Sequence, residues 1–405
     1  MKTVAIVAEY NPFHNGHLYQ INKVREIFGD DTAIIAIMSG NYTQRGDLAI
    51  ADKTVRAQAA VDCGVNLVLE IPFPFSVSSA EFYAKSAVKI ADAIGIVDYL
   101  VFGSEIGDLE YLKSVAEVMM SDEFSSTVKK LKASPKHTHD GHPRLCELAY
   151  NMIAESNDSS NLFSPNNILA IEYIKALTKA SSKIIPFTIK REGAEYDQSF
   201  TDGEAIQSAS AIRELIADNF DTALEYIPNN AKNAFLTAFL AGSSPTDEEK
   251  LGAAVISSLR LNAPTVKRNV HDAAGGLYNR LHNASYEATS ISALMSITET
   301  KKYTKARLKR AMWYSYFGVT SSKMRRLPLF TQVLALDAVG RKLLKEIKNV
   351  SDFPVITKPS SYSAYSEEIR AQKELSNSAD SVFTLAQKKP ITGKFPLMFT
   401  PYVKK

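Results

Sequence analysis

The chain lacks most of the features that announce a function. Its 405 residues hold two cysteines, Cys63 and Cys146, too few for a disulfide framework or a cysteine-based zinc site. No apolar run is long enough to cross a bilayer, and Val4–Ala8 is too short for a signal peptide. A cytoplasmic protein with no membrane partner is therefore expected. Neither sign of charge dominates: 47 Lys and Arg against 44 Asp and Glu leave +3, so only local placement of charge could recognise a polyanion. No G-x-G-x-x-G follows the first strand-like segment, and no G-x-x-x-x-G-K-[ST] occurs, so dinucleotide-fingerprint and P-loop readings fail. Internal repeats and low-complexity tracts are missing as well.

What is present is an alternation of strand-like and helix-like segments. Residues 2–8, 32–39, 65–71, 99–102 and 183–190 read as buried strands, short and apolar. Between them, residues 17–28, 52–63, 79–94 and 167–178 carry helical spacing, and 210–218 follows the last strand. Asp52 is placed to cap its helix and Gly64 to end it. This rhythm predicts an α/β fold with a Rossmann-like, mostly parallel sheet covered on both faces. Residues 121–165 are polar and break the rhythm, so a loop or small helical insertion is expected there. His137, His139 and His142 fall in it without a cysteine pair, and no metal site is assigned. Past about residue 225 the strand signal fades. A catalytic domain over 1–225 and a mainly helical region over 226–405 are expected.

The stretch EYNPFHNGHLYQ, residues 9–20, follows the first strand directly. Ligands of open parallel sheets bind outside the carboxyl ends of strands. A helix starting there turns free N–H groups and its positive end toward the loop. Gly16 removes a Cβ where a ligand must approach, and Pro12 stiffens the turn. His14 and His17 can then donate hydrogen bonds to phosphate oxygens and stabilise charge on a transferring phosphoryl group. An arbitrary H-x-G-H is as often an ordinary surface loop; its place behind the first strand favours the phosphate reading.

The stretch NPFHNGH resembles the HxGH signature of the nucleotidylyltransferase superfamily, relatives of class I aminoacyl-tRNA synthetases. SASAIREL, residues 208–215, resembles the hydroxyl-rich segment ending in Ile-Arg that closes the nucleotide site in many members, although Ala209 stands where a second hydroxyl is common. A narrower resemblance runs through nearly the whole chain. VAEYNPFHNGHLYQ (7–20), MSGNYTQRGDLA (38–49), LVLEIPF (67–73), FGSE (102–105), SPNNILAIEYIKAL (164–177), KKYTKARLKRAMWY (301–314) and VITKPSS (355–361) are similar to the bacterial tRNA(Met) cytidine acetate ligase family.

The resemblance implies acetate activation with ATP and transfer of acetyl to N4 of the wobble cytidine of elongator tRNA(Met). It implies catalytic roles for His14 and His17 and ATP contacts from Val7, Ala8, Glu9, Tyr10, Asn11, Pro12, Phe13, His14, Asn15, Gly16, His17, Leu18, Tyr19 and Gln20. Gly103, one of Asn166 and Asn167, Arg191, Ser208 and Arg213 join them. Gly103 leaves room at the same edge. Asn166 and Asn167 open a helix, which a plain cap would also explain, and Arg191 and Arg213 can face the triphosphate. Mg²⁺ is expected with ATP, since it commonly bridges phosphates. Arg45, in QRGD after the second strand, would hold the acetate or a tRNA phosphate, against the alternative of a solvated turn. Lys53 and Arg56 on the next helix receive no assignment, and Glu70, closing the third strand, would orient a base or hydroxyl or simply accept a local hydrogen bond.

Residues 301–326 contain nine Lys and Arg and no acid, interleaved with Tyr303, Trp313, Tyr314, Tyr316 and Phe317. Cations neutralise phosphates and aromatic faces stack on unpaired bases. Lys302, Lys305, Arg307, Lys309, Arg310, Arg325 and Arg326 are expected to bind tRNA; the alternative is a solvated cationic helix whose aromatics pack inward. Two other functions compete: a small-molecule nucleotidylyltransferase, which leaves the basic segment idle, and a non-catalytic RNA-binding protein, which leaves the histidines idle. Acid specificity, tRNA selection and oligomeric state are not legible.

Overall fold

The computed structural model describes residues 1–155, 162–191, 207–264, 269–394 and 398–405. Its centre is a sheet in the order β5-β4-β1-β2-β3-β6-β7, with β8 also paired to β6. The strands are β1 Thr3–Ala8, β2 Ala33–Ser39, β3 Leu67–Ile71, β4 Tyr99–Ser104, β5 Ile185–Lys190, β6 Thr331–Leu336, β7 Val355–Ile356 and β8 Tyr402–Val403. The first five are parallel to one another, as the alternating sequence predicts. Helices α1 Asn15–Phe28, α2 Lys53–Asp62, α3 Ala80–Ala93, α4 Leu109–Met120 and α7 Pro165–Lys179 belong to the connections between them. The break at 121–165 is a helical insertion, with α5 Asp122–Ala133 and α6 His142–Ala154.

Each central strand buries both faces, so its sequence is a continuous apolar run rather than an alternation. Ala5, Ile35, Ile37, Leu67 and Leu69 belong to the core on one side. Val4, Ile6, Ile34, Ala36, Met38 and Val68 belong to the other. A fully buried Leu or Ile side chain contributes roughly 1.5–3 kcal/mol, so this sandwiched sheet is the rigid part of the molecule.

The chain beyond 225 is mainly helical. It comprises α10 Asn229–Ala241, α11 Gly252–Leu261, α12 Leu277–Ser285, α13 Ile291–Thr298, α14 Lys305–Tyr316, α15 Ser321–Arg325, α16 Ala338–Val350 and α17 Glu367–Phe383; α8 Ala209–Asp218 and α9 Phe220–Glu225 precede it. It also contributes three strands to the central sheet, which were not expected from the sequence. β6 lies antiparallel against β3, with Leu67 opposite Leu336. Its sequence, TQVLAL, holds an apolar run of only four residues, 333–336, set among helical segments, and periodicity cannot separate such a run from a buried helical turn.

The order 4-1-2 places a switch point between β1 and β4. Their connections leave in opposite directions, opening a crevice at the carboxyl ends. The segments after β1, β2 and β4 meet there.

Candidate active site

The two histidines are first of all a helix start. His14 is the N-cap of α1, with extended backbone, and His17 is the third residue inside. The His14 Nδ1 accepts the Gly16 N–H at 3.0 Å, and the His17 Nδ1 accepts the His14 N–H at 3.2 Å. This is a reciprocal capping box built from imidazoles in place of the usual hydroxyl and carboxamide. It explains the spacing: three residues separate N-cap from N3, and two of the helix's orphan donors are satisfied.

The same bonds fix the chemistry of the rings. An Nδ1 that accepts a hydrogen bond carries no proton, so each neutral ring holds its proton on Nε2. Burial lowers the His14 pKa to about 3, helped by the charges of Arg191 and Arg213. Burial also lowers His17 well below the usual histidine range, with His14 and Arg191 adding to it. At neutral pH both rings are therefore uncharged Nε2–H donors. Their centroids lie 3.9 Å apart, and Tyr10 and Phe13 pack against His17.

Arg213 lies on α8, whose N-cap Ser208 accepts the Ala211 N–H at 3.1 Å and sits 3.3 Å from the Ser210 hydroxyl. The Arg213 guanidinium donates to the Asn11 carbonyl at 2.8 Å. The histidine motif and the SASAIR segment thus meet at one edge. Arg191 is held there too: its N–H donates to the Ser104 carbonyl, and a Cβ at Gly103 would lie 3.2 Å from the Arg191 Cγ. Gly103 makes room for Arg191 as much as for a ligand.

Asn166 and Asn167 part company. Asn167 is fully buried, its Oδ1 accepting from the N–H groups of Glu105 and Ile106, while its own N–H donates to Glu105. It holds the loop after β4. Asn166 is half-buried and donates to Glu105 Oε1 at 2.6 Å.

After β2, residues 43–47 form a tight turn. Thr43 N–H donates to the Asp47 carbonyl and Gly46 N–H to the Thr43 carbonyl. Gly46 has φ +91, and a Cβ there would stand 2.8 Å from the Lys309 Cβ, so glycine is required twice over. Gln44 N–H donates to Glu9 Oε1 at 2.7 Å, which brings Arg45 to the exit of β1. Arg56, fully buried, donates to the carbonyls of Ala51, Glu9, Ser39 and Gly40, pinning the ends of β1 and β2. Lys53 is sealed between Glu70 and Asp380. Sequence reasoning left Lys53 and Arg56 without assignments and Glu70 between two, because their partners come from as far as 327 positions away.

The basic segment divides. Lys309 is buried and paired with Asp47 and Glu248, and Trp313 donates its indole N–H to the Gly46 carbonyl at 2.7 Å. Arg307 and Arg310 both reach Asp272. Lys309 thus holds α14 against the turn after β2, and Arg307 and Arg310 hold it against the loop carrying Asp272, a placement the sequence does not signal. Lys302, Lys305, Arg325 and Arg326 are exposed, and Arg326 pairs with Glu368. Tyr314 and Trp313 are core residues. Among the described residues no group of three His, Cys, Asp or Glu could hold a metal, and no helix is long and apolar enough to cross a membrane.

The geometry has counterparts. Residues 1–394 match the family model described as HIGH Nucleotidyl Transferase. The tRNA(Met) cytidine acetate ligase of Thermoanaerobacter sp. (strain X514) is 36% identical over 395 residues, covering 96% of each chain. That of Acetivibrio thermocellus is 34% identical over 99% of each. The crystal structure of Thermotoga maritima TmcAL bound with alpha-thio ATP superposes with a TM-score of 0.90 at 28% identity, covering 100% of this chain and 99% of that one. Its apo form gives 0.92.

Proposed function

The chain belongs to the tRNA(Met) cytidine acetate ligase family of HIGH nucleotidyl transferases, and from that premise we propose how its residues divide an ATP-dependent ligation of acetate to the tRNA. ATP lies in the crevice between the exits of β1 and β4. The Nε2–H groups of His14 and His17 donate to phosphate oxygens, and Arg191 and Arg213 supply the positive charge that neutral rings do not. The α1 amides complete the cradle. Acetate, oriented by Arg45, attacks the α-phosphorus; the bond to the bridging oxygen breaks and pyrophosphate leaves with the electron pair. The N4 amine of the wobble cytidine of elongator tRNA(Met) then attacks the acetyl carbon and AMP departs. Both steps need orientation and stabilisation of charge more than a nucleophilic side chain. ATP, acetate and a tRNA as reactants put this work in the cytoplasm.

Mg²⁺ fits this site only as a companion of the nucleotide. With no three-carboxylate or histidine cluster among the described residues, phosphate oxygens and water would hold it, and it would neutralise part of the triphosphate charge.

One observation carries the reading: two uncharged Nε2–H imidazoles fixed by a capping box, facing Arg191 and Arg213 at the sheet's switch point. The test is incubation with ATP, labelled acetate and bulk tRNA. Label in the elongator tRNA, with pyrophosphate and AMP released, is expected. Adenylylation of a metabolite without labelled tRNA, or tRNA binding without ATP turnover, overturns it.

A further inference from the structure

At the crevice stands an acid with no task in binding a polyphosphate. Four acids sit at the carboxyl ends of β1 to β4, and three are already engaged. Asp47 is bound to Lys309, Glu70 to Lys53, and Glu105 to Ser164, Asn166 and the Asn167 N–H. Glu9 is not. Its carboxylate has one hydrogen-bond partner among the described residues, the Gln44 N–H on Oε1. The four residues after it, Tyr10 to Phe13, are buried, whereas Glu9 stays half-exposed. A carboxylate beside ATP weakens phosphate binding, so its aim needs another reason.

The aim is strongly held. The Arg56 Nη1 grips the Glu9 carbonyl at 2.6 Å. Tyr10, next in the chain, has φ +49, a left-handed backbone that a bulky residue adopts at a cost of about 1–3 kcal/mol. Gln44 is itself fixed, its Nε2 donating to the Ser78 carbonyl. Among the described residues nothing hydrogen-bonds the second oxygen of Glu9, which leaves it for a ligand.

We infer that Glu9 receives the proton that leaves N4 of the cytidine as it attacks the acetyl-adenylate, and that it accepts an N4–H hydrogen bond beforehand. This rests on the function proposed above. The N4 lone pair is delocalised into the pyrimidine, so the amine is a poor nucleophile until its proton has somewhere to go. As the N–C bond forms, the bond from the acetyl carbon to the phosphate oxygen breaks. AMP takes that electron pair, and the N4 proton passes to the free carboxylate oxygen. The same oxygen reads the base: it accepts from the amine of cytosine and repels O4 of uracil.

Burial raises the Glu9 pKa above the usual carboxylate value, and the Gln44 N–H, Arg213 and Arg56 pull it part of the way back. Asp47 from the turn adds a small rise, and Tyr83 of α3 and Tyr173 of α7 also face it. A carboxylate whose pKa is raised is a stronger proton acceptor than a surface one.

Glu9→Gln keeps an acceptor for the Gln44 N–H and removes the base. Two half-reactions are read separately: acetate-dependent ATP–pyrophosphate exchange, and single-turnover acetyl transfer to tRNA. Transfer is expected to fall about 100- to 1000-fold and to lose its rise with pH, while exchange falls less than about tenfold. Glu9→Asp, which keeps a base one methylene shorter, should recover the pH-dependent limb at a reduced rate. Equal losses of exchange and transfer in Glu9→Gln, with tRNA binding retained, overturn the inference; so does transfer at the native rate with the native pH profile. Absence of exchange and of labelled tRNA in the unmutated protein would instead refute the proposed function.

Discussion

The exit of β1 and the basic helix α14 look alike in the sequence, as charged or polar residues at suggestive spacing, yet they serve different ends. At β1 the spacing is the mechanism. His14 and His17 are one capping-box step apart, so each positions the other, and the rings stand beside Arg191 and Arg213. At α14 the spacing is mostly architecture. Lys309 and Trp313 face inward and fasten the turn that carries Arg45, and Arg310 is spent on Asp272. A motif that satisfies its own backbone within one turn is readable from sequence. A run of cations is not, because either solvent or a buried acid can satisfy a cation.

That contrast can be broken at several points. The largest effect is expected from His14→Ala, which removes a phosphate donor and the α1 cap together. Acetate-dependent pyrophosphate exchange should drop about 100- to 1000-fold while tRNA affinity stays within about twofold. Loss of tRNA affinity to the same extent would mean that the two regions are not separable.

Lys309→Met should act on stability first. It leaves Asp47 and Glu248 without their cation, at a cost of roughly 2–3 kcal/mol in a denaturant titration; this is below the figure for a fully sealed pair because the Asp47 side chain is 42% exposed. Burial pushes Asp47 up, but the charge and hydrogen bond of Lys309 outweigh it and leave its pKa below the usual carboxylate value. Its share of stability is therefore present above the unfolded pKa and lost as pH falls through the folded one. Burial pushes Lys309 down, and the two carboxylates outweigh that too. Its share is complete below the unfolded pKa and lost as pH rises through the folded one. The wild-type minus Lys309→Met difference should be largest near neutrality and shrink on either side; burial holds the Glu248 carboxyl above its usual value even beside Lys309, so the acid limb begins with Glu248. A difference near zero at pH 7 would return Lys309 to the surface.

Smaller changes are expected from the exposed cations. Lys302→Glu with Lys305→Glu should weaken tRNA binding several-fold. The slope of log affinity against log salt should fall by roughly 0.7 for each phosphate that is no longer neutralised, with exchange intact. The same reversal at Arg307 or Arg310 should instead lower the unfolding midpoint, since both engage Asp272. Ser208→Ala should be mildest. It removes the α8 cap, worth about 1 kcal/mol, and raises the KM for ATP a few-fold through a looser Arg213.

By itself the sequence determined what a few neighbours can settle. The five parallel strands, a helix soon after β1 and the Asp52 cap depend on interactions within a turn or on short apolar runs, and were legible; that His14 and His17 cap this helix reciprocally was not, because a histidine is seldom a cap. Tertiary structure decided which distant groups share a site. It brought Arg213 to Asn11 across 202 positions and Lys309 to Asp47 across 262. It also set β6 beside β3 and left one carboxylate oxygen of Glu9 without a hydrogen bond among the described residues. The reason is physical: α14 is buried from Leu308 to Ser315, so it has no solvent-facing stripe for periodicity to reveal. A long-range ion pair, for its part, leaves no mark on the local sequence of either partner.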